Sequence, residues 1–501
     1  MRVCLVRPKG FHDREDTWDV ACEPIGLGYL ASALRHAGHE AHIVDGLTSW
    51  IGERELVGRV AQTGSRLIGI TVTCQDYLRL VLELAAALRS ALPHATIALG
   101  GHAPSHLAAE ILEYSADVDY IVVGEGERAI VRLAHALETG TSLTTIPGVH
   151  GRAGATSSLA DPIRDLDELP WPARDGLASI LQKGVPAATV ITSRGCTRCC
   201  RFCSVCSFYG VSAPARWRPR RVSEVVRELV MLRECHGIRY FQFKDDNFLG
   251  GCEQGVSRAR SLAKALLARL PGITFEIACR PDEVKPQLFS LLKRAGLRKV
   301  FLGAESGADS CLRRWAKHLA VASSRRAIQT LRDLDIECLL GFIMLDADST
   351  LDELEENIRF LRESASTCSI EPLWGRLQLY AGCHDVTLRD ILAGNRPAFR
   401  SADVDAVADL VDEHIGPMVA ASSHKRYRLE FALQARLTED ERDGIKLKLG
   451  HERRWGDLFL DLLEETIRLR RGSRSEWEWA AVVRDFPVTV RRRSAELVCL
   501  T

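Results

Sequence analysis

Short apolar runs alternate with amphipathic stretches along most of this chain, and they do so in two separate series. In the first 150 residues the runs Val3–Val6, Ala41–Val44, Leu67–Val72, Thr96–Leu99 and Tyr120–Val123 are nearly continuous in apolar residues. Between them, Leu27, Leu30, Ala31 and Leu34, and later Val81, Leu84, Ala85 and Leu88, recur at the spacing of one helix face. Strands that are apolar on both sides belong to a parallel sheet covered by helices on each face. The expectation for residues 1–150 is therefore an α/β fold, a Rossmann-like, doubly wound parallel sheet of about five strands. Residues 151–185, with Pro162, Pro170 and Pro172 among acidic residues, read as a connecting segment. From residue 186 the alternation restarts, with strands expected at 188–193, 238–243, 273–278, 298–303, 337–343 and 374–380. Six such units are too few for an eight-stranded barrel, so residues 186–395 read as a partial (β/α)6 barrel. Residues 396–501 read as a mostly helical C-terminal region.

Charge excludes some partners. Acidic and basic residues balance at 66 each in 501 residues, so no net field favours nucleic acid or an anionic membrane. No run of about 18 apolar residues is present, which argues against a membrane span. Arg2 and Arg7 stand where a signal peptide needs its apolar core. Of the sixteen cysteines, Cys4, Cys22, Cys74, Cys235, Cys279 and Cys338 are scattered singly through apolar segments. They read as small buried hydrophobes in a reducing, cytoplasmic compartment.

Five cysteines crowd together instead. The segment 191–210 carries Cys196, Cys199, Cys200, Cys203 and Cys206 directly after the first strand of the second series. Two metal readings compete. Cys196-x-x-Cys199 with Cys203-x-x-Cys206 makes a pair of knuckles for one tetrahedral zinc. Cys196-x-x-x-Cys200-x-x-Cys203 supplies three thiolates to a four-iron cluster and leaves one iron without a protein ligand. The zinc reading leaves only three residues between its knuckles and places a closed structural site at the end of a barrel strand, where catalytic groups normally sit.

The string Thr192-Ser-Arg-Gly-Cys-x-x-x-Cys-x-Phe-Cys203 resembles the cluster loop of the radical S-adenosylmethionine (SAM) superfamily. The resemblance implies a [4Fe–4S] cluster on Cys196, Cys200 and Cys203, with Cys199 and Cys206 as spectators. In that family the open iron chelates SAM, and one electron then releases a 5′-deoxyadenosyl radical. Later segments are similar in order. Phe243-Lys-Asp-Asp-Asn-Phe248 places Asp245, Asp246 and Asn247 after the second strand, where relatives bind the amino end of SAM. Arg280, in Ala278-Cys-Arg-Pro-Asp282, is expected either to pair with the SAM carboxylate or to sit in a surface ion pair. Glu305, in Phe301-Leu-Gly-Ala-Glu-Ser-Gly307, matches a glutamate that lies near SAM. Leu340-Gly-Phe-Ile-Met344 resembles a segment that lines the adenine.

Pro24-Ile-Gly-Leu-Gly-Tyr29, Gly100-Gly-His-Ala-Pro104 and Val122-Val-Gly-Glu-Gly-Glu127 are similar to the cobalamin-binding-type domain of one large branch of that superfamily. The resemblance implies cobalamin at strand ends bearing Gly100, Gly101, Gly124 and Gly126, where glycine lets the backbone approach a large ring. The string Asp-x-His-x-x-Gly that supplies a cobalt ligand elsewhere does not occur, so His12, His39, His42 and His102 are not expected to ligate cobalt.

The implied activity is cobalamin-dependent C-methylation of a small metabolite, with an electron donor such as flavodoxin or ferredoxin. The nearest alternative keeps the radical without the methyl transfer, as dehydration or deoxygenation of a diol sugar or another rearrangement. It needs an acid or base, for which Tyr209, Glu305 and His384 are the candidates. A zinc-stabilised binding protein is the non-enzymatic alternative.

Overall fold

A computed structural model describes the chain apart from residues 10–21, 73, 144–145, 153, 156–161, 183–186, 211–216, 365–367, 372–373, 395–397, 418–424, 426–428, 430–431, 434–438, 474 and 500–501. His12 lies outside the described residues. Two compact units result, one of Met1–Thr274 with Leu379–Asn395 and one of Phe275–Gln378 with Arg396–Thr501.

The first unit opens with five parallel strands, β1 (Arg2–Arg7), β2 (Glu40–Asp45), β3 (Leu67–Val72), β4 (Thr96–Gly101) and β5 (Tyr120–Val122), in the order β2-β1-β3-β4-β5. Alternate residues of each strand enter opposite cores. Val3 and Leu5 pack with Leu27, Ala31, Leu34, Ile130 and Leu133 on one face. Cys4 and Val6 pack with Leu56, Val81, Leu84 and Leu88 on the other. That two-sided burial is why the strands read as continuous apolar runs. The sheet then goes beyond the five strands expected. β6 (Val149–Gly151) and β7 (Gly154–Ala155) add to its β5 edge in antiparallel fashion. They cover an edge that would otherwise offer unpaired backbone groups.

The connecting segment is held at several of its described residues. Ala173 N–H donates to Gly28 O at 3.0 Å, and a Cβ on Gly28 would stand 2.7 Å from Ala173 O. Asp167 pairs with Arg221, and Asp175 with Arg35. Arg174 bridges Glu23 and Glu228, each at 2.7 Å, with all three side chains buried. Removing one member of such a set leaves a buried charge unpaired, at a cost of about 3–5 kcal/mol.

β8 (Ala187–Val190) and β11 (Tyr240–Phe243) pair in parallel, with helix Val222–His236 between them in sequence. A small antiparallel ribbon, β9 (Ser193–Gly195) with β10 (Trp217–Pro219), brackets the cysteine segment. The second unit continues with four parallel strands, β12 (Thr274–Cys279), β13 (Leu297–Glu305), β14 (Glu337–Phe342) and β15 (Cys368–Glu371). The strand expected at 374–380 is displaced to 368–371. Trp374 and Arg376 instead spend their polar atoms on Asp412, each at 2.6 Å, and the Trp374 ring meets Phe459 edge-on. Helices Ala402–His414, Glu439–Gly472 and Glu476–Cys499 complete this unit, as expected of the C-terminal region. Among the described residues, no helix is long and apolar enough to cross a membrane.

Candidate active site

The cysteine segment leaves β9 at Gly195 and ends in the short helix Ser204–Gly210. Cys199 and Cys206 are joined in a disulfide, whereas Cys196, Cys200 and Cys203 are not bridged. The knuckle reading needs all four of its sulfurs as thiolates, so the bridge removes half of the zinc set. Burial pushes the Cys203 thiol up to about 12, and Cys200, Asp246 and Cys196 add to the rise. A thiol whose ionisation is opposed in this way sits in a site that a cationic metal group relieves.

The loop is positioned by the residues after β11. Asp245 accepts hydrogen bonds from the backbone and hydroxyl of both Thr192 and Ser193. Asp246 accepts from Gly195 N–H at 2.7 Å and from the Tyr209 hydroxyl. Asn247 directs its Nδ2 at Cys196 Sγ, 3.7 Å away, and its carbonyl accepts from Trp217 Nε1. Desolvation raises the pKa of both aspartates. The sequence assigns these three residues to SAM, and their observed bonds run to the cysteine loop.

Tyr209 is likewise drawn inward. Burial and the nearby Asp246 push its phenol well above the ordinary value, and Arg218 lies 5.2 Å from its ring centre. Its hydroxyl is a donor to Asp246 rather than a free acid. A further pair escaped the sequence reading. Gly250 and Gly251 both have positive φ, and a Cβ on them would meet the Trp217 ring at 2.4 Å and Thr197 Oγ1 at 2.5 Å. Thr197 returns two hydrogen bonds to Gly250 O, through its N–H and its hydroxyl.

The four glycines of the N-terminal sheet are not equivalent. Gly101 has φ +120°, and a Cβ there would stand 2.4 Å from Val72 O, so no other residue fits. Gly124 also has positive φ, and its N–H donates to Ser105 Oγ, which in turn donates to Gly101 O. Ser105 thus ties two strand ends together, a role that no sequence pattern signals. Gly100 and Gly126 are crowded only by ordinary neighbours such as Val122 and Leu30.

In the second unit Glu305 sits at the end of β13, where the register with β14 shifts. Its φ is +67°, uncommon for a residue with a side chain and the kind of local strain that collects at functional sites. Lys317, which the sequence reading missed, donates to Glu305 at 2.8 Å and is itself buried. Arg280 is buried rather than at the surface, pairs with Asp282 at 3.0 Å, and donates to Lys317 O at 2.8 Å. Gly341 accommodates the Phe301 ring, which a Cβ would meet at 2.6 Å, so packing accounts for it.

These features make an α/β fold with glycine-bearing ends on its parallel strands and a loop that carries three unbridged thiols. The B12 binding domain family matches residues 17–134, and the radical SAM superfamily matches residues 190–361. An uncharacterised methyltransferase of Pyrococcus horikoshii is 27% identical over 370 residues, 72% of this chain and 78% of that one. The anaerobic magnesium-protoporphyrin IX monomethyl ester cyclase of a Synechocystis species is 28% identical over 330 residues; the match spans 64% of each chain. The cobalamin-dependent SAM radical enzyme OxsB, solved with aqua-cobalamin and SAM, has the same fold, with a TM-score of 0.76 over 99% of this chain and 80% of that one at 18% identity. The chain thus carries a B12 binding domain followed by a radical SAM domain.

The fold class is accordingly a Rossmann-like sheet, a partial (β/α)6 barrel and a helical C-terminal region. The chain is a radical SAM enzyme with a B12 binding domain, and solved proteins of this fold hold cobalamin with SAM, as OxsB does, or cobalamin with a [4Fe–4S] cluster, as the methyltransferase TsrM of Kitasatospora setae does. This chain's donor set fits such a cluster, since thiolates are the usual ligands and three thiols remain once Cys199 and Cys206 have paired.

Proposed function

We propose that this enzyme methylates an unactivated carbon of a small metabolite. The observation that carries the reading is one compact unit holding both a B12-binding domain and a loop reduced by its own disulfide to three thiols. The methyltransferase name of the Pyrococcus relative supports it. Once bound and given one electron by the donor, the cluster and SAM would supply the radical chemistry for removing a substrate hydrogen, and cobalamin would supply the methyl group.

The chain's own residues bind and orient. Cys196, Cys200 and Cys203 hold the cluster, with Asp246 fixing the backbone of Gly195 just before the first ligand and Asn247 facing that ligand's sulfur. Glu305, held by Lys317, is assigned to SAM, and Arg280 steadies the Lys317 segment. Gly101 and Gly124, tied through Ser105, form the strand ends assigned to the corrinoid. A flavodoxin or ferredoxin is the proposed electron donor.

A second reading, rearrangement or dehydration without methyl transfer, is favoured by the cyclase relative. Of its acid–base candidates, His384 has its imidazole kept neutral by burial. Product analysis with SAM labelled in its methyl group separates the two. Methylation puts label on a substrate carbon and yields deoxyadenosine and S-adenosylhomocysteine together. Dehydration yields an unlabelled product lighter by one water and no S-adenosylhomocysteine. In the same assay Cys196→Ala, Cys200→Ala or Cys203→Ala abolishes deoxyadenosine, whereas Cys199→Ala/Cys206→Ala retains a cluster. A full iron complement in the triple alanine variant would refute the ligand assignment.

A further inference from the structure

Arg194 lies two residues before Cys196, and Glu125 lies between Gly124 and Gly126. The two loops to which the cluster and the corrinoid are assigned meet through these side chains. Arg194 forks between Glu125 at 2.7 Å and Glu127 at 2.6 Å. Arg218 takes the other oxygen of Glu125 at 2.7 Å and also donates to Ile163 O. All four charged side chains are nine-tenths or more buried. The Arg194 guanidinium also lies 5.1 Å from the ring centre of Tyr29, in the helix after β1.

The register of the ribbon explains why Glu125 is needed. Arg194 on β9 stands directly opposite Arg218 on β10. Like charges at opposed positions of an antiparallel pair repel. Burial away from water makes that repulsion larger. Glu125 enters from the other loop between the two arginines and pairs with both, and with Glu127 it balances their charge. From Arg218 the chain of contacts continues over the Tyr209 ring to Asp246 and back to Gly195 N–H, the residue after Arg194. Buried ion pairs are rarely the most stable way to fill a core, and their best-attested use is to fix register.

We infer that Glu125, Glu127 and Arg194 are positioning residues that couple the two cofactor loops, so that filling either favours the ordered state of the other. The inference rests on the cofactor assignments made under Proposed function. A shift of the 124–127 loop withdraws Glu125 and leaves two opposed arginines beside the first cluster ligand. Conversely, a disordered cluster loop leaves two buried carboxylates unpaired beside Gly124 and Gly126. Coupling of this kind is reciprocal, and usual values run from about 5- to 150-fold.

The test measures hydroxocobalamin binding to the full chain by equilibrium dialysis, with the cluster reconstituted and with its iron chelated away. In the wild type the dissociation constant is expected to be about tenfold lower with the cluster present. Glu127→Gln, which keeps the Arg194–Glu125 pair, is expected to reduce that ratio to less than about threefold. Arg194→Lys, which loses the fork but keeps the charge, is expected to do the same and serves if the first variant fails to fold. A role confined to fold stability would lower both affinities together and leave the ratio intact, which would overturn the proposal. Equal affinities in the two wild-type forms would overturn it as well. If neither wild-type form binds cobalamin, the cofactor reading itself falls, and the coupling falls with it.

Discussion

The His102 ring stacks on Phe208 with 4.0 Å between centroids, and its Nδ1 faces the Ser204 hydroxyl at 3.1 Å. Burial, helped by nearby His106, pulls its imidazole down to about 4. In the unfolded chain the same group titrates near 6.5, so below that pH the unfolded state binds the extra proton. The contribution of neutral His102 is thus complete above about pH 6.5 and is lost as the pH falls toward 4. Between pH 7 and pH 5 the wild type should lose about 2 kcal/mol more stability than His102→Gln, by urea melts at each pH. Parallel losses in the two proteins would show that His102 is not held neutral. Residues of this kind were only partly legible. The three cysteines assigned to the cluster stood out because their spacing is a pattern. Asp245 and Arg280 had the right chemistry for a ligand, yet they bond to Thr192 and Ser193 and to Asp282 and Lys317. Ser105 and Lys317 carry no pattern at all, because their partners are distant in sequence or held by backbone strain.

Elements were legible wherever burial imposes a period. The five parallel strands near the N-terminus and five of the six later strands fall where the apolar runs place them. The antiparallel edge of β6 and β7 is too short to show a period, and the run at 374–380 pairs only through a single bridge, Leu345 with Arg376, beyond the end of β14. Gly28 illustrates the difference between a motif and its use. It stands mid-helix in Ile25–His36, and its lack of a Cβ admits the strap at Ala173 rather than a ligand. In an open helix, glycine to alanine gains about 1 kcal/mol of propensity. Gly58→Ala, in helix Glu53–Gln62 with nothing within 4 Å of the new Cβ, should therefore stabilise the protein by about 0.5–1 kcal/mol. Gly28→Ala should do the reverse, costing about 1–3 kcal/mol, because the strap's carbonyl must move. Chemical denaturation of the two variants side by side checks the signs, and a stabilised Gly28→Ala would mean that the strap is not held against the helix.

On the scale of the molecule, the first unit is built from two distant pieces of chain. Ala381 and Leu388 are buried in the same core as Leu78, Val81 and Leu88. The Gln75 side chain bonds to both Leu379 O and Ala381 N, and Glu110 accepts from Leu388 N–H. Leu388→Ala should cost about 2–4 kcal/mol. Faster amide exchange should then appear in helix Leu78–Ala91, some 300 residues earlier, and exchange confined to residues 351–378 would contradict that packing. This threading also bears on biosynthesis. At roughly 5–20 residues per second, the ribosome reaches Leu379 about 15–60 s after Gln75. For that interval the nascent N-terminal sheet is a domain short of one wall. Its apolar face between helix Leu78–Ala91 and the end of β4 is then a surface for chaperones to hold, and the tail of the barrel sequence works as the late-arriving closure of the first domain to be made.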